Sequence, residues 1–527
     1  MNRLQIAACR VKMAPMITED QSETISFLSS AAAFSDGSKS IARRETHISE
    51  IFIGDTRVYK LKRAVKLPYL DFSTRQLRRK FCKAEIAINK RTAPGIYIGV
   101  KSITRENDGN LMLGGKGQVV DWVVVMNRFD EGMLFDRLAQ GEKIDRFLME
   151  RLADNIATFH ASAEARTDGG GRTGIALIIE GNAKSFSENA GDVLDKNKIS
   201  QLIEKSLLAL DDISSLLKSR RNGGCVRFCH GDMHLGNIVL LDGNPTLFDA
   251  IEFNESLNII DVLYDLSFLL MDLEHIGRGD LANVTMNRYM DITGSSWGLV
   301  TFPLFLSVRA AIRSHVAITL ASSASDISAV EPLKQSADEY LQMALDYLSP
   351  PPARLIAVGG LSGSGKSRAA RSIAPHIGAR PGARLIRSDV IRKRIAGVHP
   401  LDRLDESGYT PEMTEKTYKA VYEEAYAVLL SGHSVIADCV FAKPEQRAAI
   451  EAVAKDAGTT FEGLWLKADP DVMQARVTKR INNASDADAS VVRQQLNYDT
   501  GEIGWNLVNS SGSREQTDSE CNKILGL

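Results

Sequence analysis

The chain has 527 residues, 44% hydrophobic and 25% charged, the profile of a globular protein too long for one ordinary domain; the length suggests roughly three. Its 64 Lys+Arg nearly cancel its 66 Asp+Glu, which argues against a generic nucleic-acid binder and leaves at most a local basic groove. Six cysteines make no disulfide framework, and Cys225 and Cys229 lack the paired CxxC spacing of a zinc site, so reduced structural thiols are expected.

Residues 1–38 read as an N-terminal segment without a clear signal-peptide core. "IFIGDTRVYKLKR" reads as a hairpin around Gly54-Asp55, "FSTRQLRRKFCKAEIAINKRTA" as a helix and "VVDWVVVMNRF" as a buried strand. The basic run from Arg75 to Lys83 reads as a solvated helix face. From about Asp145 the pattern is mainly helical up to the glycine pair before Cys225. "NIVLL", "DGNP" and "TLFDAIEF" then read as strand, four-residue turn and strand, and further helices follow up to "LKQSADEYLQMALDYL". No stretch, "VLYDLSFLLMDL" included, reaches the ~20 apolar residues of a membrane span, so a cytoplasmic protein with no membrane partner is expected. Pro350-Pro351-Pro352 mark the boundary between a first domain, 39–347, and a second, 354–527, with 348–353 as spacer. Past the spacer, "RLIAVGG", "ARLIRSD", "SVIADCVF" and "FEGLWLKAD" alternate with helical runs, which argues for an α/β domain with a parallel sheet.

The chemistry concentrates in two loops. "HGDMHLGN", residues 230–237, could be a metal site, a catalytic loop or a polar turn. A zinc site from His230, Asp232 and His234 would need ligands at i, i+2 and i+4 on one strand face. A four-residue turn at Asp242 to Pro245 sets Leu241 opposite Thr246, and counting back puts Asn237 opposite Ala250, beside Asp249. An amide oxygen next to a carboxylate suits a hard cation such as Mg²⁺. Asp232, close by, can accept a proton from an attacking hydroxyl. Upstream, Lys60 lies in the strand "RVYKLKR" and Glu85 on the next helix; Lys62 shares Lys60's strand face and competes with it.

The loop resembles the H-G-D-x-H-x-x-N catalytic loop of the aminoglycoside and choline phosphotransferase family. That resemblance implies an α+β, protein-kinase-like first domain. It assigns the catalytic base to Asp232, metal ligation to Asn237 and Asp249, and a buttressing role to His230. It gives Asp265 in "DVLYDLSFLL" a structural role in orienting the loop. It also implies Lys60 and Glu85 as the pair that holds the ATP phosphates, and "RFDEGMLFDRL" as the segment between lobes where adenine stacks. One departure is that "THISEIFIGD", not a glycine-rich loop, precedes Lys60. The sequence shows no acidic acceptor pocket of the kind a polycationic aminoglycoside requires.

The second loop, "GLSGSGKS" (360–367), fits G-x-x-x-x-G-K-[ST] between a strand and a helix. Gly360, Gly363, Ser364 and Gly365 let backbone N–H groups wrap a phosphate at a helix N-terminus. Lys366 reaches the β- and γ-phosphates, and Ser367 ligates Mg²⁺. Asp389 and Asp438 fall at carboxyl ends of strands, the edge where such sheets bind ligands, and Asp438 is the further metal candidate. Asp389 with Arg392 resembles the D-x-x-R of polynucleotide kinases, zeta toxins and gluconate-kinase-like enzymes. This implies Asp389 as the base for the acceptor hydroxyl and Arg392 as a catalytic group on acceptor or phosphate; a helix N-cap is the competing reading of Asp389. Arg476 and Arg480, on one helix face, resemble lid arginines that close over phosphates.

Residues 40–515 as a whole resemble bacterial two-domain proteins described as bifunctional aminoglycoside phosphotransferase and ATP-binding proteins. The resulting reading is a bifunctional phosphotransferase using ATP and Mg²⁺ on small-molecule hydroxyl acceptors. Two alternatives stand beside it. The second half could be a kinase of nucleic-acid ends, which the near-zero net charge disfavours, or one half could be a nucleotide sensor that regulates the other.

Overall fold

The computed structural model describes residues 16–34, 36–67, 70–191, 193–324, 326–478 and 484–527. The chain divides into two compact units: residues up to Asp272 with Leu304–Leu348, and Leu273–Pro303 with Ser349–Leu527.

In the first unit a six-stranded antiparallel sheet runs in the order Ala42–Glu45, Ser49–Ile53, Arg57–Lys62, Gln118–Asn127, Tyr97–Arg105, Leu111–Leu113. Period-2 alternation sorts its residues. Phe52, Tyr59, Leu61, Val123 and Val125 pack with Leu28 and Phe34 on one face, while Val124 and Met126 pack with Cys82 of the helix Arg75–Asn89 on the other. Lys60 pairs in register with Val124, so it shares the helix-covered face. The helical part includes Arg146–Ser162, Val262–His275, Phe302–Ser323 and Val330–Tyr347.

Three expectations need correction. The run from Arg75 is not wholly solvated: Arg78 is fully buried and donates to Asp121 (2.8 Å), Glu19 (2.7 Å) and the Phe72 carbonyl (3.1 Å). The turn after Leu241 has two residues, not four. Leu241 pairs with Asn244, and Asp242 and Gly243 both adopt positive φ (47° and 78°). An Asp-Gly turn of this kind matches the twist of its flanking strands, so the hairpin closes two residues earlier than counted and Asn237 faces Phe248. Finally, the run Ser296–Ser322, with mean hydropathy 1.4, is long and apolar enough to cross a membrane by length and composition, but 89% of its most apolar window is buried inside the protein.

The second unit is built on a five-stranded parallel sheet in the order Arg384–Arg387, Val435–Asp438, Arg354–Gly359, Thr460–Lys467, Asn506–Asn509. Ile356, Val358, Ile436, Leu464 and Leu466 pack against Ala369, Ala370 and Ile373 of the helix Lys366–Ile373. This unit also takes in the helix Gly279–Thr293, which the sequence boundaries leave in 39–347. The cause is polar. Arg384–Arg387 is an edge strand, and Asn287 of that helix accepts the Leu385 N–H at 2.7 Å and donates to the Ala383 carbonyl at 3.1 Å. Arg384, fully buried, pairs with Asp291 (2.7 Å) and Glu424 (2.9 Å). A covered edge and a neutralised guanidinium bind the helix to this sheet.

Candidate active sites

The loop 230–237 is fastened by acids and an arginine from distant helices. Asp265 accepts the N–H groups of His230 (3.0 Å) and Gly231 (2.9 Å) and lies 3.2 Å from His160 Nε2. Burial pushes the Asp265 carboxyl up, but His160, His230 and Arg309 hold it down to about 2. Asp272 accepts the Leu235 N–H (3.0 Å), and Arg309 Nη1 donates to the Gly231 carbonyl (3.2 Å). His230 Nδ1 accepts the Asp232 N–H (3.3 Å) while Nε2 donates to the Phe248 carbonyl (3.0 Å), which fixes the neutral tautomer. Burial lowers its pKa and favours the same state. With both ring nitrogens engaged, His230 is not free to build a zinc site with Asp232 and His234; His234 Nδ1 accepts the Gly236 N–H at 3.1 Å, while its Nε2 has no hydrogen-bond partner among the described residues.

Asp232 is buried. Asn237 donates from its amide nitrogen to both the carboxylate (2.8 Å) and the carbonyl (2.9 Å) of Asp232, and His234 Nε2 lies 3.4 Å from the carboxylate. Burial raises the carboxyl, but His234, His230 and Arg309 outweigh it and leave it below the ordinary carboxylate range. Asp232 is therefore an anion at neutral pH, as a proton acceptor must be.

Lys60 Nζ stands between Asp249 (2.6 Å) and Glu85 (2.9 Å). Lys62 also pairs with Glu85 (2.7 Å) and additionally with Glu252. Burial separates the two lysines. Lys62 has no exposed side-chain surface, whereas Lys60 keeps 12%. Burial pulls the Lys60 ammonium down, and Asp249 and Glu85 raise it well above its ordinary value. Lys60 thus joins the strand, the helix and the carboxylate that follows the hairpin, while Lys62 neutralises charge beneath them. For a nucleotide with Mg²⁺ the donor set fits: one ammonium with residual solvent access, and hard oxygen groups on Asp249 and Asn237.

In the second unit, the loop after Gly359 needs glycine. At Gly360 (φ 139°) a Cβ would lie 2.5 Å from the Leu466 carbonyl oxygen, and at Gly363 (φ 86°) 2.5 Å from that of Met473. Ser364 Oγ and Asp438 Oδ1 are buried and have no hydrogen-bond partner among the described residues. Orphaned oxygens beside a loop of this shape suit a phosphate and its cation. Lys366 and Ser367 open the helix Lys366–Ile373. Asp438 pairs in register with Val358 of the strand leading into the loop and with Arg387, whose Nε lies 3.4 Å from its carboxylate. Asp389 is not an N-cap: Arg387 occupies that position, without a side-chain capping bond, and Asp389 lies in the first turn of the helix Ser388–Ile395. Arg476 donates to the Ser510 carbonyl (2.7 Å); its other terminal nitrogen lacks a partner among the described residues and lies 3.5 Å from where a Cβ on Gly365 would stand. Arg480 lies outside the described residues.

Sequence reasoning missed His160, Asp272, Arg309 and Glu252 in the first unit, and Gln495, which accepts the Ser362 N–H at 2.7 Å, in the second. His160, Asp272, Arg309 and Gln495 each lie far along the chain from the loop they serve, and Glu252 lies 190 residues from Lys62, its partner. The one usable signal was the presence of charged residues inside otherwise apolar helices, as at Asp272 and Arg309.

Residues 355–499 match the AAA domain family. The chain is 28% identical over 499 residues to an uncharacterised protein of Mycobacterium tuberculosis, covering 91% of this chain and 94% of that protein. Among solved structures, it is similar to a sugar kinase from Janibacter sp., at 22% identity and a TM-score of 0.26 over 33% of this chain and 95% of that one. It is also similar to a choline/ethanolamine kinase family protein from Mesorhizobium loti, at 10% identity and a TM-score of 0.36 over 62% of this chain and 99% of that one.

Proposed function

We propose that the protein is a cytoplasmic, bifunctional ATP-dependent phosphotransferase, with one kinase site in each unit and small hydroxyl-bearing molecules as acceptors. The observation that carries the reading is the convergence in the first unit. Lys60 lies 2.6 Å from Asp249 and 2.9 Å from Glu85, while Asn237 holds the ionised Asp232 at 2.8 Å. The groups that this reading uses for phosphate, cation and proton thus come from distant segments of the chain, Lys60 and Asp249 being 189 residues apart.

In the first site Asp232 accepts the acceptor's hydroxyl proton, Lys60 holds phosphate oxygens and Glu85 holds Lys60. Asn237 and Asp249 would hold Mg²⁺, which neutralises charge on the transferring phosphoryl group. In the second site the backbone of Gly360 to Gly365 cradles phosphates, Lys366 and Arg476 supply positive charge, and Asp389 accepts the proton. Ser367 and Asp438 would hold the cation there.

The test is transfer of label from γ-labelled ATP to panels of metabolites, aminoglycosides and 5′-hydroxyl oligonucleotides by the full chain and by its Asp232→Asn and Lys366→Ala variants. Two activities are expected, each lost with its own variant. If Asp232→Asn leaves every transfer intact, the first site is not catalytic; if oligonucleotide ends are the strongest acceptors and Lys366→Ala abolishes their labelling, the second site is a nucleic-acid-end kinase.

A further inference from the structure

Arg309 and Arg313 are four residues apart on the helix Phe302–Ser323 and so share one face. Both are nearly buried, at 5% and 7% exposed, but their charges are met differently. Arg313 pairs with Asp272 (3.7 Å), and its Nε donates to the Tyr340 hydroxyl (3.4 Å). Arg309 forms no ion pair among the described residues. Its Nε donates to the Tyr264 carbonyl and its Nη1 to the Gly231 carbonyl, both at 3.2 Å. Its Nη2 is buried and donates to nothing among the described residues. A nearly buried guanidinium that pairs with no carboxylate is costly unless an anion joins it.

This guanidinium is held beside the proton acceptor of the first site. The Gly231 carbonyl that fixes Nη1 immediately precedes Asp232 in the chain. Against the upward push of burial, His234, His230 and Arg309 hold the Asp232 carboxyl down, so the charge of Arg309 reaches it. The ring centroids of Tyr264 and Phe268, four residues apart on the helix Val262–His275, lie 3.9 Å and 4.6 Å from the guanidinium carbon. Two rings and two carbonyls thus fix the plane and leave Nη2 as its open donor. A guanidinium fixed in this way matches the planar geometry of carboxylate and phosphate oxygens. The neighbouring acids are engaged elsewhere. Asp265 accepts the His230 and Gly231 N–H groups, and Asp272 accepts the Leu235 N–H and faces Arg313. Asp136 Oδ2 has no partner among the described residues and would lie 3.9 Å from a Cβ on Gly236, but burial raises its carboxyl, which weakens it as a counter-charge for a cation.

Resting on the phosphotransferase reading of the first unit, we propose that its acceptor is a small hydroxy compound bearing a carboxylate or a phosphate, and that Arg309 receives this anion beside Asp232. The anion supplies the counter-charge that the protein withholds from Arg309 and accepts from its Nη2. Arg313, on the same helix face, adds positive charge. An amino alcohol at this place would set its ammonium against the Arg309 guanidinium and is disfavoured. The acceptor's hydroxyl oxygen attacks the γ-phosphorus of ATP and its proton passes to Asp232. The bond from the γ-phosphorus to the bridging oxygen breaks, releasing ADP and leaving a phosphate ester.

The experiment uses the full chain with Lys366→Ala, so that only the first site transfers phosphate. Labelled ATP is offered with two matched series, serinol, glycerol, glycerate and glycerol 3-phosphate, and glucosamine, glucose, glucuronate and glucose 6-phosphate. The proposal expects labelling of a carboxylate or phosphate member in preference to the neutral and cationic members of its series; which member is labelled assigns the anion. This pattern needs no arginine variant, so it decides the matter even if Arg309→Gln fails to fold. Arg309→Gln should raise the KM for the labelled anion by about tenfold or more, the worth of one hydrogen bond to a charged group, and leave the KM for ATP unchanged. Arg309→Lys should recover part of that loss, because it restores the charge. An Arg309 that only braces Gly231 would instead lower kcat for every acceptor alike and leave KM unmoved, and that result overturns the proposal. Equal or stronger labelling of neutral or cationic members, or no labelling of any anion while Asp232-dependent ATP hydrolysis continues, also overturns it. Absence of any Asp232-dependent ATP turnover overturns the kinase reading of the first unit instead.

Discussion

Replacing Lys62 by Met removes an ammonium with no exposed surface from between the carboxylates of Glu85 and Glu252. Breaking a fully buried ion pair costs ~3–5 kcal/mol because the abandoned charge stays in the interior. Two features set the cost at the lower end. Glu85 keeps Lys60 at 2.9 Å, and Glu252 already sits above the ordinary carboxylate range through burial, so it can take up a proton. The expected loss is about 3 kcal/mol. Lys60→Met acts on the same cluster with the opposite balance. Lys60 retains solvent access and Glu85 keeps Lys62, so the expected stability loss is about 1 kcal/mol, as for a partly solvated pair. Its effect on phosphotransfer by the first site, in contrast, should be on the order of 10²–10³-fold or more, as for loss of one electrostatic donor at a reacting phosphate. The assay is thermal unfolding of each variant beside its ATP turnover. At about 2–4 °C per kcal/mol for a large domain, Lys62→Met should lower the first unit's transition by roughly 6–12 °C and Lys60→Met by a few degrees. Equal shifts for the two variants, or a Lys60→Met protein that turns over ATP normally at the first site, would refute this division of labour.

Asp232→Asn should lower first-site phosphotransfer by about 10²–10⁴-fold with little change in the unfolding transition, because the amide keeps the shape and loses only the proton acceptor. The Asp265 carboxyl, held at about 2 in the folded chain, contributes stability that is fully present above its unfolded pKa near 4 and is lost as pH falls from there towards 2. That contribution is roughly 2 kcal/mol, so urea midpoints of the wild type should fall more steeply over this window than those of Asp265→Asn; identical slopes would contradict the assignment. A chain starting at Ser349 lacks the helix Gly279–Thr293 and leaves Arg384 without Asp291. Circular dichroism should show it to be poorly folded, and a cooperative transition matching that of the second unit in the full chain would show that the helix is dispensable.

The two loops were legible because their residues lie side by side in the sequence. The spacing of His230, Asp232 and Asn237, and the glycines of 360–365, are written contiguously. Lys60 and Lys62 could not be separated, since strand alternation places both on one face and only packing decides which is covered. The hairpin count failed on a local choice. Asp242-Gly243 forms a two-residue turn on its own, which pulled Asn244 and Pro245 into the strand. Asp249 still came to the right end, because a shift of two residues preserves the side-chain face. The partners of the loop, Asp272 and Arg309, showed only as charges inside otherwise apolar helices, because helices contribute one residue per turn from a sequence distance that no local pattern spans. The Gly279–Thr293 helix looked continuous with its neighbours for the same reason: its allegiance is set by hydrogen bonds to an edge strand about a hundred residues later.

The most direct test of two nucleotide-using sites on one chain is the stoichiometry of Mg²⁺-ATP binding by equilibrium titration of the full protein. Two ATP per chain are expected, with Lys60→Met removing one and Lys366→Ala the other. One ATP per chain, or a single variant that abolishes both, would contradict it.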